Sequence, residues 1–136
     1  MNAPSVNVLS DSSPIATTEQ FKAALLATRD WNGIAPIQLQ MLQAQCRAPE
    51  STISALEMAH QLSLKSFAAA RLQYGTLART LADKLGYAPP QKGKGTPYWW
   101  FTLSTGRPVP DDATETQVEW IMRPELVTAL RAMKWA

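Results

Sequence analysis

The residues of this chain that could contact phosphate groups are concentrated between positions 65 and 95. This segment holds six Lys or Arg against the single acid Asp83, a local charge of +5, although the whole chain carries only +2. A basic region between two mildly acidic ends is typical of a surface that faces nucleic-acid phosphates, but a solvated basic helix face explains it equally well. The basic residues of the segment are Lys65, Arg71, Arg79, Lys84, Lys92 and Lys94.

Small and polar side chains that could read the edges of bases lie among these charges. The amide of Gln73 carries the donor and the acceptor that can bind adenine bidentately, and Ala69 or Thr76 could contact a thymine methyl group. Phosphate contacts would supply most of the affinity and little of the specificity. The residues expected in the groove are Lys65, Ser66, Ala69, Gln73 and Thr76. The residues expected on phosphates or at the groove edge are Arg71, Arg79, Lys92 and Lys94.

The residues that usually perform catalysis are few and isolated in this sequence. His60, the only histidine, lies in a helical segment without a set of Cys, Asp or Glu at metal-ligand spacing. Cys46 lies in the apolar pattern of another helix, which favours a buried thiol over a nucleophile. Asp111 and Asp112 lie in a proline-rich loop without a third acid, and "KGKG" lacks the strand and helix that a phosphate-binding glycine loop requires. We therefore expect no enzymatic activity, no metal site and no cofactor.

The length and composition of the chain suit one compact domain. Of its 136 residues, 46% are hydrophobic, and no stretch approaches the roughly 18 apolar residues that a membrane span needs. The segment 1–16 is rich in Ser, Pro and Asn, and it predicts a disordered arm and not a signal peptide. A single cysteine excludes an internal disulfide and fits a reducing compartment. We expect one domain over 17–136, a cytoplasmic location and no membrane partner.

Capping signals and the spacing of apolar residues predict three helices before the basic segment. Thr17 and Gln20 have the spacing of a capping box at the start of the first helix. Pro36 suits the first turn of the second helix. Ser54 can cap the third helix while the side chain of Glu57 reaches back to the backbone of the cap. The expected helices cover 18–29, a stretch that begins at Pro36, and 55–62.

A fourth helix is predicted over about 66–85, after a tight "SLKS" turn in which Ser63 or Ser66 could act as the N-cap. Its apolar residues fall on one stripe at helical spacing, and this stripe must face the core. Gly75 lies in the middle at a cost of roughly 1 kcal/mol relative to Ala, and it either permits close packing or marks a kink. The residues of the stripe are Phe67, Ala70, Tyr74, Leu77, Leu81 and Leu85.

Two β-prone runs follow, "YWWFTLS" and "QVEWIM", joined by "TGRPVPDDATET". They predict an antiparallel hairpin over about 97–122, in which alternate residues share a face. Pro124 opens a final helix expected over 124–134. The residues expected to share a face are Trp99, Phe101 and Leu103 on the first strand and Val118, Trp120 and Met122 on the second.

The order of these elements is typical of a winged helix-turn-helix. The fold class we expect is mainly α with a small antiparallel β-hairpin, and the short run "TI" at 52–53 is where such domains place a third strand. In this architecture the fourth predicted helix would lie in the major groove, and the hairpin would touch the backbone or the minor groove. Winged helices also serve as protein-docking modules, and helix pairs with short turns are common.

The patterns "LQYG.LAR.LA..LGY", "YWW" and "RPEL..AL" resemble a bacterial winged-helix-like module that forms the non-catalytic part of some HNH-endonuclease and restriction-associated proteins. The resemblance covers about residues 34–135. It implies a small module used for association with DNA. With one histidine the chain lacks the HNH motif itself, so the nuclease activity of those proteins does not carry over.

Two functions are consistent with these patterns. The leading one is a non-enzymatic protein that binds double-stranded DNA, in restriction and defence or in transcription regulation. The alternative is a small protein-binding inhibitor or adaptor, phage- or defence-related, whose protein partner would bind the Trp-rich hairpin if one face stays uncovered. The five tryptophans suit a core or an interface, and the core is the use we expect. A homodimer remains open.

Overall fold

The computed structural model describes residues 9–91, 95, 97–107 and 118–136. The helices whose bounds it gives are α1 (Thr18–Trp31), α2 (Pro36–Arg47), α3 (Ala55–Gln61), α4 (Phe67–Leu85) and α5 (Pro124–Ala132). The strands are β1 (Thr52–Ser54), β2 (Ser104–Gly106) and β3 (Glu119–Met122), and short 3-10 helices cover Pro49–Ser51 and Trp99–Thr102. The fold is therefore mainly helical with a small antiparallel sheet, as the sequence predicts. In the described part of the chain, no helix combines the length and the apolar character needed to cross a membrane.

The capping box predicted from Thr17 and Gln20 starts α1. The backbone N–H of Gln20 donates to the Thr17 hydroxyl at 3.1 Å, and the N–H of Thr17 donates to the Gln20 side chain at 2.7 Å. The helix runs past the expected residue 29 to Trp31 and stops at Asn32. The next residue, Gly33, has a φ of 79°, a left-handed conformation that glycine adopts without strain. The "NG" signal therefore ends α1 where the chain turns towards α2.

Serine caps open α3 and α4, as predicted. The hydroxyl of Ser54 accepts from the N–H of Glu57 at 3.1 Å, and the hydroxyl of Ser66 accepts from the N–H of Ala69 at 3.2 Å. The second half of the capping box expected at α3 does not form. The Glu57 carboxylate accepts from the Ser54 hydroxyl at 3.3 Å instead of from the Ser54 backbone, since that residue also ends β1 and pairs with Glu119.

The strands form one antiparallel sheet in the order β1-β3-β2, so β3 is central. Ile53 of β1 lies opposite Trp120 of β3, and the short strand expected at 52–53 is confirmed. On β3, Trp120 and Met122 are both buried, as the predicted alternation requires, while Val118 is half-buried just before the strand. The sheet thus places one face of β3 in the core.

The hairpin expected over 97–122 is wrong in its first half. Residues Trp99–Thr102 form a 3-10 helix, and β2 begins only at Ser104. The N–H of Phe101 donates to the carbonyl of Tyr98 at 3.0 Å, a local bond that an extended strand cannot make. The aromatic rings of this turn pack against the core and along α4, so tertiary packing overrides the β-propensity of the run. The residues that do not share a strand face are therefore Trp99, Phe101 and Leu103.

The buried side of α4 matches the predicted stripe except at its ends. The buried residues of the stripe are Ala70, Tyr74, Leu77 and Leu81. Phe67 and Leu85 are only half-buried, because they are the first and last residues of the helix and lie at the edge of the core. In the middle, the ring of Tyr74 stacks on Trp120, with 4.2 Å between the ring centroids. This stack joins α4 to the central strand.

A buried arginine precedes α5. Both Nε and Nη2 of Arg123 donate to the carbonyl of Phe101, at 3.0 and 2.7 Å, and the guanidinium lies 4.5 Å from the centroid of the Phe101 ring. Burial lowers the pKa of Arg123 from its usual value. The helix begins at Pro124 as expected and ends at Ala132, short of the expected residue 134. Arg123 therefore ties the start of α5 to the aromatic turn.

Part of the expected N-terminal arm packs against the domain. Residues 1–8 lie outside the described part of the chain, but Leu9 and Ala16 are buried. Nη1 of Arg123 also donates to the carbonyl of Ser13, at 3.3 Å. Within the arm expected over 1–16, residues 9–16 thus include buried apolar side chains and a backbone carbonyl that is hydrogen-bonded to Arg123.

Candidate nucleic-acid interface

The side of α4 that faces away from the core is exposed along most of the helix. Leu72 is 68% exposed, and Arg71 and Arg79 are exposed as well. Ala68 and Thr76 are exposed at four-residue intervals from Leu72. At 3.6 residues per turn these positions lie on one side of the helix. We call this set the open face of α4: Ala68, Arg71, Leu72, Thr76 and Arg79.

Lys65 and Ser66 lie at the N-terminal end of the same helix, and both are exposed. The Ser66 hydroxyl accepts from the N–H of Ala69 and so fixes where the helix starts. A cation next to the N–H groups of a helix start favours an anion at this end. The structure therefore brings Lys65 and Ser66 together with the open face, while Ala69 is half-buried beside it.

Gln73 lies on the flank of α4 that faces α2. It is the residue after Leu72, which places it about 100° further around the helix. Its side chain is half-buried, and its Oε1 accepts from Nε2 of the buried Gln38 at 3.4 Å. To read an adenine edge, the Gln73 amide would have to leave this contact. Of the residues expected in the groove, Thr76 is on the open face and Gln73 is beside it.

Arg79 is held by an aromatic neighbour. Its guanidinium carbon lies 5.3 Å from the ring centroid of Trp99, which belongs to the turn between α4 and β2. Such stacking uses the flat face of the guanidinium and leaves its N–H edge available to a phosphate. The aromatic turn, whose composition predicts a strand, thus orients one of the arginines expected on phosphates.

Two of the expected basic contacts, Lys92 and Lys94, lie outside the described residues. Arg107, which follows β2, is a further basic residue that is not among the expected phosphate contacts. Its Nε lies 2.8 Å from Glu119 and its Nη2 lies 3.9 Å from Glu50, so acidic neighbours balance its charge. No sequence pattern could show this, because the two acids are far from Arg107 along the chain and are brought to it by the sheet.

A buried network of polar groups supports α4 from behind. The Tyr74 hydroxyl donates to Oε1 of Gln45 at 2.6 Å and lies 2.6 Å from the hydroxyl of Ser104. Nε2 of Gln45 donates to Ser104 at 2.9 Å and to the carbonyl of Trp120 at 3.1 Å. Burial raises the pKa of the Tyr74 phenol above its usual value, so this group stays neutral. The sequence feature that could have predicted this network is Gln45, a polar residue one turn after Met41 on the buried side of α2.

Two of the residues considered for catalysis lie in the described part of the chain, on different helices. His60 is exposed on α3, and Cys46 is buried on α2. Asp111 and Asp112 lie outside the described residues. Among the residues that are described, no three His, Cys, Asp or Glu side chains form a group that could hold a metal ion.

Comparison with family models, curated proteins and solved structures found no match to this chain. No function can therefore be transferred from a relative, and the resemblance to HNH-associated modules stays a prediction. Function has to be inferred from the geometry and the charge of α4.

Proposed function

We propose that this chain is a non-enzymatic winged helix-turn-helix protein that binds duplex DNA through the open face of α4. From α2 onward the described elements follow one another as helix, strand, helix, helix and two strands, with β3 between β1 and β2 in the sheet. This order fits a winged helix in which α3 and α4 form the helix-turn-helix and α4 enters the major groove. The observation that carries the proposal is the exposed side of α4, where Leu72 and the smaller Ala68 and Thr76 lie beside Arg71 and Arg79.

The shape of the open face suits close approach to another macromolecule. Gly75 lies beside Leu72 on this side, and a Cβ built there would meet nothing within 4 Å. Packing therefore does not require this glycine, although it weakens the helix. Because Gly75 has no side chain, nothing projects from the helix at this position between Arg71 and Arg79. A helix about 10–12 Å wide fits the roughly 12 Å major groove when its groove-facing side chains are small.

The charges around the open face supply the affinity. Lys65, Arg71 and Arg79 would contact phosphates, with Arg79 oriented by Trp99. The protein would work in the cytoplasm, which fits its single cysteine, and it would act in restriction and defence, as the sequence resemblance implies, or in transcription regulation. It binds as a monomer or as a homodimer on two half-sites.

Titration of a labelled random-sequence duplex at several salt concentrations tests the proposal. We expect log affinity to fall linearly with log salt, with a slope of about −0.9 for each phosphate neutralised. Arg71→Gln and Arg79→Gln should each weaken binding to all sequences and reduce the slope by about one. Arg29→Gln is the matched control, since Arg29 is exposed at the end of α1 and pairs with Asp30 at 2.9 Å. Absent or salt-insensitive binding would contradict the proposal.

The second candidate is an inhibitor or adaptor that binds a protein. The observation that favours it is a pair of exposed leucines on the helix-turn-helix, Leu56 at 55% and Leu72 at 68%. The Trp-rich hairpin is a weaker surface for a partner, because Trp120 is buried and Trp100 is half-buried against the core. Capture of a protein that Leu72→Ala no longer binds, without any shift of duplex DNA, would favour this candidate.

A further inference from the structure

We infer that the open face of α4 recognises the methyl groups that thymine presents in the major groove, with Leu72 as the central contact. This inference rests on the proposed binding of duplex DNA. It goes further by naming the chemical feature that is read and the residue that reads it.

The first step is that the centre of the open face is apolar. Leu72 is 68% exposed, and Ala68 and Thr76 flank it one turn away on either side. The hydroxyl of Thr76 donates to the carbonyl of Leu72 at 2.8 Å. This bond turns the hydroxyl back to the helix and leaves the Thr76 methyl group as the outward feature. Three hydrocarbon groups therefore follow one another along the middle of the face.

The second step is that Gln73, the polar residue expected to contact a base edge, does not lie at the centre of the open face. Gln73 is half-buried on the flank, and its Oε1 accepts from Gln38 at 3.4 Å. The hydroxyl of Thr80 is likewise turned back, since it donates to the carbonyl of Thr76 at 3.2 Å. The charged groups of the open face, Arg71 and Arg79, are suited to phosphates. The centre is thus left without a side-chain amide or a free hydroxyl for a base edge.

The third step is the match between an apolar centre and the groove. The major groove exposes hydrogen-bonding groups at every base pair, and the C5-methyl group of thymine is its apolar feature. Residues four apart on a helix are separated by roughly 6 Å along the axis. Base pairs are about 3.4 Å apart, so this separation is close to two base-pair steps. The arginines on either side direct this surface to a polyanion and not to an apolar protein groove.

Removal of the methyl groups alone tests the inference. The probes are an alternating dA–dT duplex and the same duplex with deoxyuridine in place of thymidine, which keeps every hydrogen-bonding group. We expect the wild-type protein to bind the deoxyuridine duplex more weakly, by about fourfold for each methyl group that the helix touches in the thymidine duplex. An alternating dG–dC duplex should gain affinity when its cytosines carry a 5-methyl group, because the methyl group occupies the same groove.

Matched variants identify the contact. Leu72→Ala should reduce the difference between the two dA–dT probes by at least about fourfold, the share of one methyl contact, and keep the wild-type salt slope, because no charge is removed. Leu56→Ala, which shortens the exposed leucine of α3, should keep the wild-type difference between the probes. Gln73→Ala should keep this difference as well. Thermal unfolding of each variant checks that the fold is intact. Because Leu72 is exposed, we expect Leu72→Ala to unfold at nearly the wild-type temperature.

The outcomes separate the two proposals. Salt-dependent binding that is equal for the thymidine and deoxyuridine duplexes would overturn this inference and leave DNA binding in place. A difference of wild-type size in Leu72→Ala would overturn it too, since another residue would then be the main contact to the methyl groups. If no duplex is bound at any salt concentration, both the proposed function and this inference fail.

Discussion

The phenol of Tyr74 is buried between two oxygens that belong to different elements. It donates to Gln45 of α2 and lies 2.6 Å from the hydroxyl of Ser104 in β2, while its ring stacks on Trp120 of β3. One side chain of α4 is therefore fixed by a helix, by an edge strand and by the central strand. Because the open face lies on the opposite side of α4, this residue sets the direction in which Leu72 points.

We expect Tyr74→Phe to lower the free energy of unfolding by about 1–3 kcal/mol, since it leaves the buried Oε1 of Gln45 without its donor and the Ser104 hydroxyl without the Tyr74 hydroxyl as a partner. Tyr74→Ala should cost roughly 3–5 kcal/mol, because the stacked ring is removed as well. Urea denaturation measures both. In a double-mutant cycle, Ser104→Ala and Tyr74→Phe should together cost less than the sum of the single changes, since both remove the same bond. Additive effects would mean that the two hydroxyls are not bonded in solution.

Single residues were only partly predictable from the sequence. Helical spacing identifies Tyr74, Leu77 and Leu81 as buried, because burial follows the period of the helix. The same spacing does not give the rotation of the helix on its neighbours. A contact with Gln38 places Gln73 on the flank and leaves Leu72 at the centre of the open face. That contact joins residues 35 positions apart, so no local pattern contains it.

Two glycines, one inside α4 and one directly after it, have different effects on the stability of this helix. Gly75 is in the helix interior, and a Cβ built there would meet nothing within 4 Å, so close packing does not account for it. Gly86 follows the last helical residue with a φ of 68°, in the left-handed region. Its N–H donates to the carbonyls of Ala82 and Asp83 and completes the C-terminal turn.

The same substitution at these two glycines should have opposite effects. Gly75→Ala should raise the free energy of unfolding by about 1 kcal/mol, because alanine favours the helix and meets no neighbour. Gly86→Ala should lower it by about 1 kcal/mol, because a Cβ is strained at positive φ. Thermal and urea unfolding of the two variants give both signs. A loss of stability in Gly75→Ala would show that the packing around α4 is tighter than the structure has it.

Elements with strong end signals were predicted well, and the aromatic run was not. Thr17, Ser54 and Ser66 each cap a helix, because a cap depends on residues within one turn of it. The run at 97–103 has the composition of a strand, but its rings pack against α4 and the core. Residues with high strand propensity are those that pack well on a pleated, half-buried sheet surface. The run at 97–103 does not lie on such a surface, so its propensity does not decide its structure.

At the scale of the whole molecule, the sheet order and the burial of the N-terminal segment were the features least visible in the sequence. The order β1-β3-β2 pairs residues 52–54 with residues 119–121, which are far from them along the chain. Composition alone predicts that residues 1–16 are disordered. Leu9 nevertheless is only 3% exposed, because it packs against the domain, and composition does not predict such a contact. The folded unit therefore begins before the first capped helix.

The boundary of the folded unit can be tested by truncation. A chain that lacks residues 1–16 should be less stable than one that lacks residues 1–8, by about 2 kcal/mol, because a buried leucine is removed. The longer deletion also takes away the carbonyl of Ser13 that accepts from Arg123 at 3.3 Å. Urea denaturation compares the two chains, and Leu9→Ala in the longer chain should account for most of the difference. Arg29→Gln in that chain is the control, since Arg29 is exposed and should leave stability nearly unchanged. Equal stability of the two truncated chains would mean that residues 9–16 contribute nothing to the fold and that the domain starts at α1.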